Sequence, residues 1–359
     1  MRKKQLATKR PLRSSKIVKI PPSKRRVRLK RASTTKSHLP DHSAGVKEGR
    51  AWRSTSSENV SQERLKGALR QRWSKRFYEG RNITAAWRHV QQRGKSYAAG
   101  FMKGAGIYAT VSPVPLRNKA AAVVFVGPHS PAPKGVLAQL EALPLHEIVI
   151  VLANTNEEIY SLARNHKNMI IAYLPDEVNP DVGRALGAKL TGADTVLFVD
   201  GEHPVHSDIL ARFLWECDGR VDIALNDLTA QMGLFNRRGE SERFHEFLNR
   251  SLNREDLSIN CLSSLPFAVS RNALDTLGAA AFTVPIKAHA LAILNGLKIG
   301  TGGSASNRNS NRLIASKQNW QIAAGDHVEA WTEAMGTRGS RLDFTDSVRN
   351  RSVLGDWEQ

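Results

Sequence analysis

Asp200-Gly201-Glu202 closes the apolar run TVLFVD at 195–200. On an extended backbone, residues two apart point to the same side, so both carboxylates can aim at one point. Such a pair suits a hard divalent cation, Mg²⁺ or Mn²⁺, which takes one or two protein carboxylates and completes its shell with diphosphate oxygens and water. The same spacing also fits a turn in which Asp200 satisfies nearby backbone amides ahead of a helix at 207–213. His203 and His206 flank the pair and could add a metal ligand or simply sit at the surface. A dinucleotide cradle is excluded: the first strand-to-helix turn, Gly127-Pro128-His129-Ser130-Pro131, has no GxGxxG, and its prolines remove amide donors. With no GxxxxGK[ST] either, phosphate binding falls to a metal.

The elements that must position these groups alternate. Short continuous apolar runs at 121–127, 147–153, 169–174 and 195–200 predict strands buried on both faces. Between them, helical spacing predicts helices at 136–143, 157–165 and 181–191. Strand and helix in strict alternation with short connections imply an α/β fold with a doubly wound, mostly parallel sheet. Its ligand crevice lies outside the carboxyl ends of the strands. Those ends carry Asn154-Thr155-Asn156-Glu157, the segment from Pro180 to Gly187, and Asp200-Gly201-Glu202.

Charge divides the 359-residue chain. Of 53 Lys+Arg and 33 Asp+Glu, residues 1–120 hold 31 and 5, a net +26, and the remainder has a net −6. Residues 1–40 contain 15 Lys/Arg and no acid, broken by Pro11, Pro21, Pro22 and Pro40. Self-repulsion and the lack of apolar groups predict a disordered basic arm over residues 1–61. Such an arm is either a solvated tail or a ligand for a polyanion: anionic lipid, a cell-surface polymer or nucleic acid. No secretory cleavage pattern follows the first basic residues, and no run approaches the roughly 18 apolar residues that span a bilayer. Two cysteines, Cys217 and Cys261, without metal or disulfide spacing favour a reducing compartment. The expected location is the cytoplasm, with peripheral attachment to a membrane or surface layer left open.

Residues 62–118 read as a basic amphipathic helical extension and linker. Leu65, Leu69, Trp73 and Phe77 recur every fourth residue, and Lys66, Arg70, Arg72 and Lys75 fall on other faces. Ile83, Trp87 and Val90 form a second short stripe, and Tyr97, Gly100, Phe101 and Gly104 an aromatic/glycine rhythm. Such stripes pack on the protein's own body, on another copy, or less commonly on a membrane surface. Ser112-Pro113-Val114-Pro115 reads as the linker.

From about Ala121 to Leu354 the chain resembles a bacterial family 2 glycosyltransferase of the GT-A type with a basic, Gly/aromatic-containing amino-terminal extension. The resemblance rests on several segments in order: VLANTNEE, DVGRALGAKLTGADTVLFVDGE, VDIALNDL, LPFAVSRNALDTLG, the Asn-Arg pairs of SNRNSNRL, and GDHVEAWTEAMGTRG. It implies a GT-A-like domain over 119–359, with a nucleotide-sugar half at 119–226 and an acceptor half at 227–359. Asp200 and Glu202 match the family's metal-binding carboxylates, which bridge a divalent cation to the nucleotide-diphosphate sugar. Asn154, Asp181 and Arg184 match positions near the nucleotide. Family members of this type invert the anomeric centre, so a base must take the acceptor hydroxyl's proton. Asp326 and Glu329 are the candidates, Asp326 preferred, with His327 to orient them; equally, both acids could cap the start of a helix.

Two departures matter. The turn after the first strand carries Pro128-His129-Ser130 where the family has Asn-Glu, and the metal motif ends in Glu. Both leave a second class open: a catalytically reduced GT-A-like binding or surface-assembly protein whose basic arm binds a polyanion. The donor sugar, the acceptor and the oligomeric state are not encoded in any one segment.

Overall fold

A computed structural model describes residues 39–56, 60–80, 85–166, 168–305, 317–344 and 346. The described residues form one compact unit. Seven strands, β1 (Ala120–Val126), β2 (Glu147–Ala153), β3 (Met169–Leu174), β4 (Thr195–Asp200), β5 (Ile223–Leu225), β6 (Phe267–Ser270) and β7 (Ile299–Thr301), make one sheet of order β3-β2-β1-β4-β6-β5-β7. β1 pairs in parallel with β2 and β4, β2 with β3, and β5 with β7; β6 runs antiparallel to both β4 and β5. The mostly parallel doubly wound sheet is thus as the alternation predicts, and the reversed β6 is the departure from it.

Residues of β1 alternate between two cores. Ala120, Ala122, Val124 and Val126 face one side, with Ile148, Ile150, Leu152, Leu197 and Val199. Val123 and Phe125 face the other, with Val149, Val151, Val196 and Phe198. The period of two on a strand buried on both faces explains why β1 reads as an unbroken apolar run. Helices α4 (Lys134–Glu141), α5 (Glu157–Arg164) and α7 (Ser207–Cys217) cover the first face. Helices α6 (Pro180–Leu190), α8 (Glu240–Ser251), α9 (Arg271–Leu277), α10 (Pro285–Leu294) and α11 (Lys317–Arg338) cover the second.

The amino-terminal helices belong to the first core. In α2 (Gln62–Glu79), capped by Ser61, residues Leu65, Leu69, Trp73 and Phe77 are all buried. They pack on the protein's own body, together with Val90, Tyr97 and Phe101 of α3 (Trp87–Ala105). Ser112-Pro113-Val114-Pro115 is not a free linker: all four residues are buried, and the Ser112 hydroxyl donates to Ser207 Oγ at 2.7 Å.

The expected disordered arm over residues 1–61 requires correction at its end, because Leu39–Ser54 form helix α1. Residues 1–38 lie outside the described residues. Helix α1 has no apolar stripe to read; glycine supplies its interface. A Cβ built on Gly45 would sit 2.3 Å from the Tyr97 carbonyl oxygen, and one on Gly100 would sit 2.1 Å from the His42 carbonyl oxygen. Only glycine allows two helix backbones to approach this closely. Asp41 adds buried charge pairing, 2.9 Å from Arg93 and 3.6 Å from Arg76. Among the described residues no helix is long and apolar enough to cross a membrane.

Candidate active site

A cavity of about 570 Å³ opens at the carboxyl ends of β1 and β4. Helix α6 sits unusually close to β1, because a Cβ on Gly183 or Gly187 would lie 2.1 Å from the Phe125 ring or 2.4 Å from Val123. That approach brings Asp181 and Arg184 to the mouth of the sheet. Asn179 caps the helix, accepting from the Asp181 amide at 2.8 Å. Across the strand pair Phe125 is in register with Asp200. Gly201 must be glycine for a similar reason, since its Cβ would stand 2.2 Å from the Phe125 carbonyl oxygen. The tight passage holds Asp200 and Glu202 beside the end of β1.

Of the residues proposed from sequence, Asp181, Arg184, Asp200, Glu202, Asp326 and His327 line this one cavity. Asn154 and Glu329 are not among its lining residues. Asn154 lies exposed at the end of β2 with φ +47°, its amide bonded to the Leu174 carbonyl at 2.8 Å. Glu329 is exposed on α11, 4.0 Å from Lys287. His327 does not orient either acid. Its ring is buried, its Nδ1 meets the Ala323 carbonyl at 2.6 Å, and it stacks on His245 with centroids 5.2 Å apart. Burial lowers its pKa from the ordinary histidine value. The helix-capping reading of Asp326 and Glu329 is also corrected, because α11 begins at Lys317 and both acids lie in mid-helix.

The Asp200 turn is already hydrogen-bonded. Oδ1 accepts from the Glu202 amide at 2.9 Å, and Oδ2 is 2.8 Å from His203 Nδ1. Glu202 Oε1 accepts from the Ser130 hydroxyl at 2.9 Å, and its Oε2 accepts no hydrogen bond among the described residues. Asp181 and Arg184 form an ion pair. Burial raises the Asp181 pKa and the guanidinium opposes that shift. The Asp326 carboxyl is pushed up to about 6, first by burial, then by the nearby charges of Asp181 and Glu329.

Among the described residues lining the cavity, Glu177, Asp181, Asp200, Glu202 and Asp326 stand against Arg184 alone, with no lysine. A bare diphosphate is repelled by such a field; one carrying a divalent cation is not. No three His, Cys, Asp or Glu side chains gather into a metal-holding group among the described residues. An ion held by Asp200 and Glu202 would have to complete its shell with phosphate oxygens and water. Arg184 also leaves a buried Nε donor without a partner among the described residues.

Two further polar groups escaped the sequence reading. Ser130 was visible only as part of a donor-poor turn. His245 of α8 lines the cavity with its Nε2 3.3 Å from the Ser263 hydroxyl. Its signal, a lone histidine in a charged helix, is common to surface positions. The Asn-Arg pairs at 307–312 lie outside the described residues.

No protein-family model matches the chain, and no curated protein matches it. Among solved structures it is similar to mannosyl-3-phosphoglycerate synthase from Rubrobacter xylanophilus, 11% identical over 66% of this chain and 80% of that one, TM-score 0.44. It is also similar to glucosyl-3-phosphoglycerate synthase from Mycobacterium tuberculosis with Mn²⁺, UDP and phosphoglyceric acid, 13% identical over 59% and 79%, TM-score 0.42. A third is the mannosyltransferase PcManGT from Pyrobaculum calidifontis with GDP-Man and Mn²⁺, 14% identical over 76% and 74%, TM-score 0.39.

Proposed function

We propose that the chain is a metal-assisted glycosyltransferase of the GT-A type, moving a sugar from a nucleotide-diphosphate donor to an acceptor hydroxyl with inversion. The observation that carries the reading is the convergence of Asp200, Glu202, Asp181, Arg184 and Asp326 on one cavity at the carboxyl edge of the sheet. Asp200 and Glu202 would hold the divalent cation, Mn²⁺ or Mg²⁺, which when bound would supply charge neutralisation to the diphosphate leaving group. Arg184, fixed by Asp181, donates to the nucleotide-phosphate end, where a guanidinium suits planar or phosphate oxygens. Asn154, on the same sheet edge but outside the cavity lining, is proposed to meet the base or ribose.

Asp326 serves as the base. It accepts the acceptor hydroxyl's proton as that oxygen attacks the anomeric carbon and the nucleoside diphosphate departs. Its raised pKa keeps it basic enough for the task while leaving it ionised near neutrality. Glu329 acts through charge on Asp326, not by contact with the cavity.

The self-satisfied Asp200 turn favours a second reading, a catalytically reduced protein that binds through this cavity or its basic segment. For that segment, residues 1–61, the proposed partner is a polyanion. Within it Lys47 and Arg50 stand exposed on α1, and Arg88 and Lys103, exposed on α3, carry the same sign.

Calorimetric titration of the full chain with nucleotide-sugars, with and without Mn²⁺, decides between these readings. Metal-dependent binding of one donor, lost in Asp200→Ala, is expected with transfer. A folded protein that binds none of them with Mn²⁺ rejects the transferase.

A further inference from the structure

Ser130 lies in a turn whose prolines leave few amides to offer a ligand. Its surroundings give it one defined hydrogen-bond direction. Its amide donates to the Gly127 carbonyl at 3.2 Å, and its Oγ accepts from the Gly127 amide at 3.1 Å. Gly127 follows directly on the buried strand β1, so Ser130 is tied twice to the end of that strand. With its acceptor side engaged by a backbone donor, the single hydroxyl proton goes to Glu202 Oε1 at 2.9 Å. Pro128 and Pro131 fix the backbone on both sides and bring no competing N–H to the carboxylate.

Glu202 needs such a partner. It is exposed, and glutamate has one more rotatable bond than aspartate, so an unaided side chain would spread over several rotamers. The Ser130 bond engages Oε1 and leaves Oε2 without a partner among the described residues. We propose that Ser130 is a positioning residue that holds Glu202 in the rotamer presenting its second oxygen to the divalent cation. A serine on the β1 turn thereby compensates for the longer acid of the Asp-Gly-Glu motif. This rests on the transferase reading above.

The test is Mn²⁺ affinity of the full chain, measured by titration in the presence of UDP and of GDP. Ser130→Ala should weaken Mn²⁺ binding by about 10- to 100-fold, the effect usual for partners of metal ligands. Ser130→Thr, which keeps the hydroxyl and its bond to the Gly127 amide, should restore it. Adding Ser130→Ala to Glu202→Gln should cost nothing further, since the residue acts through that carboxylate. If Glu202→Gln weakens Mn²⁺ binding and Ser130→Ala does not, the positioning role fails and the transferase reading stands. Additive losses in the double variant likewise overturn it. If the unaltered protein binds no Mn²⁺ with either nucleotide, both fall together.

Discussion

Phe77 of α2 stands edge-on to Trp215 of α7, the rings 5.3 Å apart between centroids at 84°. Both side chains are buried, and Trp87 of α3 approaches the same indole at 6.1 Å. The amino-terminal helices and the sheet therefore share one core. Phe77→Ala should destabilise the whole unit by about 3–5 kcal/mol, the range for removing a buried aromatic ring. Urea unfolding followed by both tryptophan fluorescence and circular dichroism should show a single shifted transition. Two transitions, with only the first one moved, would mean that the helices fold apart from the sheet.

The parallel strands β1 to β4 were legible because each is an apolar run closed by polar or Gly/Pro residues; β2, β3 and β4 begin and end where the spacing predicts. β5, β6 and β7 were not, because three or four residues are too few to show a strand or its direction. Helix α1 was invisible for a different reason. Hydrophobic patterning detects side-chain burial, and α1 is held by backbone contact at Gly45 and Gly49. At the end of β4 the spacing left a metal-binding pair and a hydrogen-bonded turn equally open; the turn is present, with Asp200 Oδ1 accepting from the Glu202 amide at 2.9 Å. Ser130 was not legible, since what it does depends on a strand seventy residues away in sequence arriving beside β1. His327 was expected to orient the neighbouring acids, but its Nδ1 is taken by the Ala323 carbonyl and its ring stacks on His245.

Two histidines tie stability to pH. His289 is fully buried, with Nε2 2.8 Å from Asn249 Oδ1. Asn249 donates its amide to the carbonyls of Ser258 and Asn260, so Oδ1 accepts and His289 Nε2 carries the proton. Burial pulls the pKa of His289 down to about 3, and that of His245 likewise. Because the folded pKa values lie below the unfolded ones near 6.5, the stability tied to the neutral rings is complete above that pH. It is lost as pH falls toward 3. Each ring should contribute a slope of about 1.4 kcal/mol per pH unit across pH 4–6. Urea titrations over that range should give a shallower slope for His289→Gln by about one proton. An unchanged slope would show that His289 is protonated in the fold.

Asp326 gives the opposite sign. Burial, then Asp181 and Glu329, hold its carboxyl near pKa 6, above the ordinary aspartate value of 3.8. The folded state therefore binds the proton more tightly than the unfolded chain. The charged carboxylate is a liability that is absent below about pH 4 and complete above about 6. Asp326→Asn should raise the melting temperature at pH 7.5, leave it unchanged at pH 4, and abolish sugar transfer. For the unaltered protein kcat/KM should rise with pH through about 6, as the base loses its proton. Asp181→Asn removes a neighbouring negative charge and releases Arg184 from its ion pair. Both effects favour the Asp326 carboxylate, so the rising limb should move to lower pH. A limb that stays in place in Asp181→Asn, or transfer that survives Asp326→Asn, would assign the base elsewhere.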